Sequence, residues 1–196
     1  ASDVYKRQPV VFEAASVAVA RMGASYDSSA NRVVISYRDN GNSNYGTLIS
    51  GAVSGTSISF ESPVVYEAAT TDDISSTFDS NSNKVVIAYK NGGNSNYGTV
   101  IVGTVSANSI SFGSAVVFNS STTDPINIGF DSNANKVVLA YTDGGDSNKG
   151  KILVGTPSGT TISFGSPVIF NSGATSTQSY IGSVVYDTSN LSLIHI

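Results

Sequence analysis

A 52-residue internal repeat constrains the fold of this 196-residue chain more than any other feature. An apolar segment that ends in an aromatic residue marks each copy, and it occupies residues 9–12, 63–66, 115–118 and 167–170. Repeats of this kind are single supersecondary units that bury their apolar faces against neighbouring copies. The chain therefore divides into copies at 9–62, 63–114 and 115–166, with a partial copy at 167–190.

Each copy carries two strand signals joined by a short polar turn. In the second copy, strand A covers residues 74–79 and strand B covers residues 84–89. Strand B has Val85, Ile87 and Tyr89 on one face and Val86 and Ala88 on the other. Apolar residues on both faces predict a strand that is covered on both sides.

Two further strand signals complete the copy. Strand C covers residues 99–105, and strand D runs from 109 to about 118 with an interruption at Gly113 and Ser114. Proline near the end of strand D, as at Pro63 and Pro167, suits an outer edge strand because no ladder donor is lost there. We expect the D–A connections to be loops.

These signals predict an all-β fold. Four antiparallel strands in about fifty residues, repeated and apolar on both faces, are typical of a propeller blade. We therefore expect a β-propeller-like array of four-stranded antiparallel blades, forming an open incomplete arc of about three blades plus partial ones. A β-solenoid is the alternative, although its coils usually need about half this period.

Composition limits the function classes. The formal net charge is −4, and a mildly acidic chain disfavours nucleic acids and anionic membranes, which favour basic faces. The longest apolar runs fall far short of the ~20 residues that span a bilayer, so we expect no membrane insertion. The chain has no cysteine, which excludes disulfides and thiolate metal sites.

Both ends differ in composition from the rest of the chain. The codons GAT GTG TAT AAG AGA CAG encode residues 3–8, and their reverse complement encodes residues 191–196. A short DNA adapter at both ends of one insert produces this relation, and the segment resembles the adapter of sequencing libraries. We therefore expect 1–8 and 191–196 to be adapter-derived and 9–190 to be the natural segment. The apolar hexapeptide 191–196 could still pair as the strand B of an incomplete last blade.

The order of motifs resembles the blades of sialidase-type propellers. In those blades an Asp-containing strand precedes an apolar strand ending in Ala-Tyr, a Gly-rich loop and an outer Ser-Pro-Val-Val-like strand, as in residues 84–89 and 112–117. The family's Asp-box, a Ser-x-Asp-x-Gly-x-x-Trp turn, is missing near residues 106–109 and in the other copies. The resemblance thus implies blade architecture and transfers no functional residue. Tandem repeats rich in Asn, Ser and Gly are also similar to surface and virion fibre proteins.

The residues of the natural segment argue against catalysis. The single histidine, His195, lies in an adapter-derived end, so no His-dependent triad can form. Arg21, Arg32 and Arg38 all fall in the first copy, which leaves no arginine cluster for a sialidase-like substrate. Because Arg32 and Arg38 align with lysines of the second copy, we interpret them as ordinary surface positions. We predict that the chain is not an enzyme.

Two acidic loops offer oxygen ligands for calcium. Asp131, Asn133 and Asn135 alternate as in a calcium loop, but Lys136 follows them and Asx turns explain the same residues. Asp143 and Asp146 form a second candidate, whose counterpart in the second copy has lost both charges. We therefore predict turns here, no metal site and no cofactor.

The loops predict one binding face. The B–C loops carry exposed amides and aromatic rings, which can bind a sugar or a peptide, and the divergent D–A loops share their side of a propeller. A structural role for the B–C amides, which can satisfy their own backbone, is the alternative. The candidate ligand-binding residues are Asn44, Tyr45, Asp72, Asp73, Asn96, Tyr97 and Asp124.

We thus expect a non-catalytic binding or structural propeller fragment. Its expected partners are a glycan or cell-surface ligand and the neighbouring repeats of a longer protein, with an extracellular or virion location. The alternative is an accessory part of a sialidase-like carbohydrate-active enzyme whose catalytic residues lie outside the fragment.

Overall fold

The computed structural model describes residues 9–17, 22–107, 109–173, 184–187 and 192–195. Regular structure in these ranges is β apart from two short 3-10 turns at Gly92–Asn94 and Gly144–Asp146. The strands are β1 (Gly23–Asp27), β2 (Arg32–Asp39), β3 (Tyr45–Ser54), β4 (Ser57–Phe60), β5 (Val64–Asp79), β6 (Lys84–Asn91), β7 (Tyr97–Val105), β8 (Ile110–Phe112), β9 (Val116–Asp131), β10 (Lys136–Asp143), β11 (Lys149–Ser158), β12 (Thr161–Phe164), β13 (Val168–Asn171), β14 (Val184–Asp187) and β15 (Ser192–His195).

Thirteen of these strands form one open antiparallel sheet in the order β1-β2-β3-β5-β6-β7-β9-β10-β11-β12, and β4, β8 and β13 pair along its side. The sheet consists of three four-stranded segments, each with strands A to D. The first contains β1, β2, β3 and, as its strand D, β4 with the start of β5. The predicted all-β class is confirmed, and the sheet is not closed.

The D–A connections differ from the prediction. Residues 67–73 and 119–124 are not loops, because they lie inside the long strands β5 and β9. Thr70 pairs with Tyr45 of β3, and the next residue, Thr71, pairs with Asn91 of β6. The chain thus passes from one segment to the next within a single long strand, in which Asp73 takes a left-handed backbone conformation at a φ of 47°. Register shifts near this point let the backbone bend.

The A–B turns are fixed by an aspartate. The Asp131 Oδ1 accepts the backbone N–H groups of Asn133 and Ala134, both at 2.9 Å. Asn135 follows in the left-handed region at a φ of 54°. Asparagine tolerates that conformation better than most residues, which explains its recurrence in the turn. Asp27 and Asp79 accept the same pair of bonds in the other copies.

The central segment is buried on both faces. Val85, Ile87 and Tyr89 pack in one apolar cluster with Val34 and Leu48 of the first segment. Val86 and Ala88 pack in a second cluster with residues of the third segment, among them Val137, Leu139 and Tyr141. The predicted two-sided burial of strand B is confirmed.

Three aromatic rings meet where two segments pack. Tyr66, at the start of β5, packs edge-on against Tyr89 with ring centroids 5.3 Å apart, and against Phe112 at 5.9 Å. Edge-to-face pairs at such distances contribute beyond their buried area. The same ring trio recurs as Phe12, Tyr37 and Phe60, and as Phe118, Tyr141 and Phe164.

A glycine in strand C seats Tyr66 and Phe118, which are the first rings of two of these trios. A Cβ atom added to Gly98 would lie 2.6 Å from Cζ of Phe118, and one added to Gly46 would lie 2.5 Å from Cε2 of Tyr66. A Cβ atom added to Gly150 would lie 2.7 Å from Cζ of Phe170. The ring therefore occupies the space that a side chain would need, which explains glycine in the interior of a strand.

The last two strands form a separate hairpin. β14 pairs with β15 so that Asp187 lies opposite Ser192. The other A–B hairpins close in the same register, as Asp79 does with Lys84. Ser192–His195 thus pairs with β14 in the register that strand B takes in the other copies.

We expect Gly98→Ala to destabilise the protein by about 1–3 kcal/mol, because the new methyl group overpacks the Phe118 ring. Urea unfolding followed by tyrosine fluorescence measures the change. Gly165→Ala is the control, since a Cβ there meets only the Val154 carbonyl oxygen at 3.9 Å. Equal stability losses in the two variants would contradict the ring-seating role.

Candidate functional site

One edge of the sheet carries the B–C turns and the midpoints of the two long strands, and we call this edge the loop face. The Thr71 N–H donates to the carbonyl oxygen of Asn44 at 3.3 Å, and the Thr123 N–H donates to that of Asn96 at 3.2 Å. The first and second B–C turns are therefore each tied to the neighbouring D–A passage. The structure brings the sequence-predicted residues of these two regions together on one face.

The B–C turns satisfy their own backbone. The Asn91 Oδ1 accepts the N–H of Gly93 at 2.9 Å, and Asp39 and Asp143 do the same in the other copies. Ser95 and Asn96 follow in the left-handed region with φ values of 52° and 61°. Two consecutive left-handed residues are what a type I′ turn requires, and Asn is favoured there. This geometry accounts for the recurring Ser-Asn pair.

The predicted ligand residues of the B–C turns differ in accessibility. Asn44 and Asn96 are exposed, whereas Tyr45 and Tyr97 are half-buried at the first position of strand C. The carbonyl oxygens of Tyr45 and Tyr97 accept the hydroxyls of Thr47 and Thr99. Each of these two turns thus has an exposed asparagine followed by a half-buried tyrosine, and an amide together with an aromatic ring can hydrogen-bond and contact a polar ligand.

The predicted carboxylates lie on the same face but are ion-paired. Asp72 binds Arg38. Lys90 Nζ lies 2.7 Å from Asp124 Oδ2 and 3.2 Å from Asp73 Oδ2. Each cation belongs to strand B of one segment and reaches the long strand that continues into the next. These carboxylates therefore brace adjacent segments.

Sequence reasoning missed the two cations. Arg38 was interpreted as an ordinary surface position by its alignment with Lys90, yet both side chains are largely covered, with 22% and 16% exposed. The signal that could have found them is the constant separation of 34 residues from Arg38 to Asp72 and from Lys90 to Asp124. Arg32 is also half-buried, since its Nε is buried without a hydrogen-bond partner while its other nitrogens donate to the carbonyl oxygens of Asn31 and Ala107.

The third copy uses a different charge arrangement. Thr142 stands in the position of the two cations, and Lys151 bridges Asp143 at 2.8 Å and Asp146 at 2.9 Å. Lys149, which replaces the tyrosine of the other copies, also binds Asp146. Burial opposes ionisation of Asp143, but hydrogen bonds from Lys151 and Asn119 hold its pKa below the ordinary value. Both acids of the second calcium candidate are thus paired with lysines.

A buried tyrosine anchors the passage between the first and second segments. The Tyr89 hydroxyl donates to Glu67 Oε2 at 2.9 Å, and Asn91 Nδ2 donates to the same oxygen at 2.7 Å. Burial and the adjacent Glu67 charge raise the pKa of Tyr89 far above its ordinary value. In the third copy, Asn119 takes the place of Glu67 and donates to Asp143 at 3.2 Å. The two copies therefore share a carboxylate–amide pair, but the carboxylate and the amide have exchanged positions.

Asp73 is the carboxyl with the most altered titration on this face. Its burial and the nearby charge of Asp124 raise its pKa from 3.8 to about 6, against the opposing effect of Lys90. Two carboxylates that share one lysine cannot both ionise without a cost.

Within the described ranges, no group of three or more His, Cys, Asp or Glu side chains could hold a metal ion. In the same part of the chain, no helix has the length and apolar character to cross a membrane. Comparison with known proteins finds no matching family model, curated protein or solved structure.

We expect stability to fall as the pH rises from about 4 to 6, through the contribution of Asp73. The folded state binds more protons than the unfolded state in this window because the pKa is raised on folding, so ionisation favours unfolding. Asp73→Asn should flatten the pH profile by on the order of 1 kcal/mol. Urea unfolding at several pH values checks this, with Asn81→Ala on the exposed A–B turn as the control that keeps the slope.

We expect Lys90→Met to cost about 1–3 kcal/mol, because Asp73 and Asp124 then face each other without a cation. Arg38→Met leaves only Asp72 unpaired in a more exposed setting and should cost about 1 kcal/mol or less. Urea midpoints of both variants and of Lys90→Met/Asp124→Asn make the comparison. If the double variant regains no stability, the pairing does not brace the segments.

Proposed function

We propose that the chain is an arc of a β-propeller-like repeat array that acts in binding or structure and performs no catalysis. Three features support a propeller arrangement. The four-stranded segments pack face to face through apolar clusters, strand D of the first and of the second segment runs directly into strand A of the segment that follows, and the three A strands adjoin one another. Blades of a propeller are related in this way.

The loop face is the proposed recognition surface. The observation that carries this proposal is that a constant scaffold holds exposed Asn44 and Asn96, each beside a half-buried tyrosine, on one face. Repeat proteins bind through such faces. Amides and tyrosine edges suit a glycan or another polar cell-surface ligand. The paired carboxylates Asp72, Asp73 and Asp124 contribute by fixing the passages beneath the turns.

The test is glycan-array binding by the protein and by a Tyr45→Ala/Tyr97→Ala variant. We expect binding to neutral or acidic glycans and a loss of about tenfold or more in the variant, because aromatic contact area is removed. Asn81→Ala is the matched control, since Asn81 is exposed on the A–B turn at the opposite edge. Binding that survives the tyrosine substitutions would exclude the loop face. If no glycan on the array binds the protein, the result would support a purely structural role.

Recovery of the complete reading frame from the source DNA tests the non-catalytic part of the proposal. An arginine cluster with a Tyr/Glu pair in further blades would overturn it in favour of the accessory part of a carbohydrate-active enzyme. Further copies of the same repeat without such residues would support it.

A further inference from the structure

The first segment turns one face away from the central segment. Val34 packs towards the second segment, so its strand neighbours Val33 and Ile35 lie on the opposite face. Strand register adds further apolar residues to that face. We call the set the first outer face, and it consists of Tyr26, Val33, Ile35, Ile49 and Val53.

The third segment has a corresponding face at the other end of the sheet. Val137 and Leu139 pack towards the second segment, which puts Val138 and Ala140 on the opposite side. Strand register again gives the other members. We call the set the third outer face, and it consists of Val138, Ala140, Ile152, Val154 and Val168.

The repeat shows what covers the first outer face. Val53 is 56% exposed, whereas its counterpart in the second copy, Val105, is 5% exposed. Tyr26 is likewise exposed, and its counterpart Phe78 is half-buried. Val105 and Phe78 are covered because the first segment packs on them. The surface that fits these positions is therefore the apolar face of another segment.

Residues 9–12 extend the first outer face towards its rim. Phe12 packs against Tyr37 and Phe60 with ring centroids 5.3 Å and 6.0 Å apart. The adjacent Val11 is 71% exposed. Apolar surface thus continues from strand A of the first segment to the rim.

The third outer face is also covered in the preceding copy and exposed here. Val154 is 44% exposed and its counterpart Val102 is 1% exposed. Val168 is exposed and its counterpart Val116 is half-buried. Val102 and Val116 are covered because the third segment packs on them. The β14 strand lies beside β9 and β10, so the exposed valines belong to the other half of this face, in β11 and β13.

The two outer faces match each other as the two sides of an internal contact do. The third outer face repeats the residues with which the second segment contacts the third, except that Ile152 replaces Val100. On the other side of that contact, the third segment contributes Val137 and Leu139, and the first outer face has Val33 and Ile35 at those positions. Contact between the outer faces would continue a kind of packing that the chain already contains.

Both faces keep exposed valines within one chain, so their occupant comes from a second molecule. Terminal repeats of soluble arrays normally carry a polar outer face, and exposed apolar patches mark interaction sites. A contact between two different faces of identical chains is heterologous and joins the copies head to tail.

We propose that the first outer face of one chain binds the third outer face of a second copy of this chain, so that copies associate head to tail. The contact follows from the packing of the segments. It does not depend on the loop face or on any ligand bound there.

The test is analytical ultracentrifugation of the whole chain over a wide range of concentrations. We expect the average mass to rise above that of one chain as the concentration increases. Val53→Asp and Val154→Asp should each weaken association by about tenfold or more, because a carboxylate loses its hydration in an apolar contact. Val117→Asp is the matched control, since Val117 is 40% exposed on strand D of the central segment, outside both faces.

An equimolar mixture of the two variants tests the direction of the contact. Val53→Asp keeps an intact third outer face and Val154→Asp keeps an intact first outer face, so the mixture should form pairs of chains and nothing larger. Urea unfolding checks that the variants are folded. Val168→Asp repeats the third-face test at a more exposed position.

The outcomes decide the inference. A wild-type chain that stays single at every concentration would overturn it, as would association that neither variant weakens. Loss of association in one variant and full association in the other would show that like faces meet, which would overturn the head-to-tail contact. A mixture that forms no pairs would overturn it as well.

Discussion

Neighbouring segments share a long strand, β5 or β9, and this shared strand sets how the segments lie next to each other. At Thr70 and Thr71 the chain changes its partner from β3 to β6 within one peptide unit. Neighbouring segments are therefore linked by a backbone that is hydrogen-bonded on both sides of the junction. The ring trio of Tyr66, Tyr89 and Phe112 packs beside this point and fixes how the second segment lies on the first.

This junction also explains where the charges lie. Strand B of each segment ends beside the long strand, so a cation there reaches an acid 34 residues later, as Arg38 reaches Asp72. Exposed ion pairs contribute little, but these are partly covered and bridge two segments. In the second copy, Lys90 also pairs with a further acid, Asp73. The pKa of Asp73 is raised to about 6, so the charge of Asp73 changes near that pH. Bracing and pH response thus arise from one cluster.

Turns and strands of this architecture differ in how freely their residues can vary. The loop face is built from turns whose backbone is internally satisfied, so its side chains can vary without a loss of fold. Where β1 approaches β5, the residues must stay small, because Gly23 and Ser76 lie in close contact.

Sequence patterns alone were enough to predict the repeat, the strands A to C, the A–B turns and the two-sided burial of strand B. These features follow from local rules: alternation at a period of two residues, Asx turns and left-handed asparagines. The sequence also placed the candidate residues of the loop face, since turns are readable from Asn, Ser and Gly.

The tertiary structure was needed to show that the D–A passages lie inside long strands, that Arg38 and Lys90 pair with acids of the next segment, and that the three A strands adjoin. Each of these depends on contacts between residues far apart in sequence. A local pattern specifies which face of a strand is apolar, but it does not specify which distant backbone group completes its hydrogen bonds.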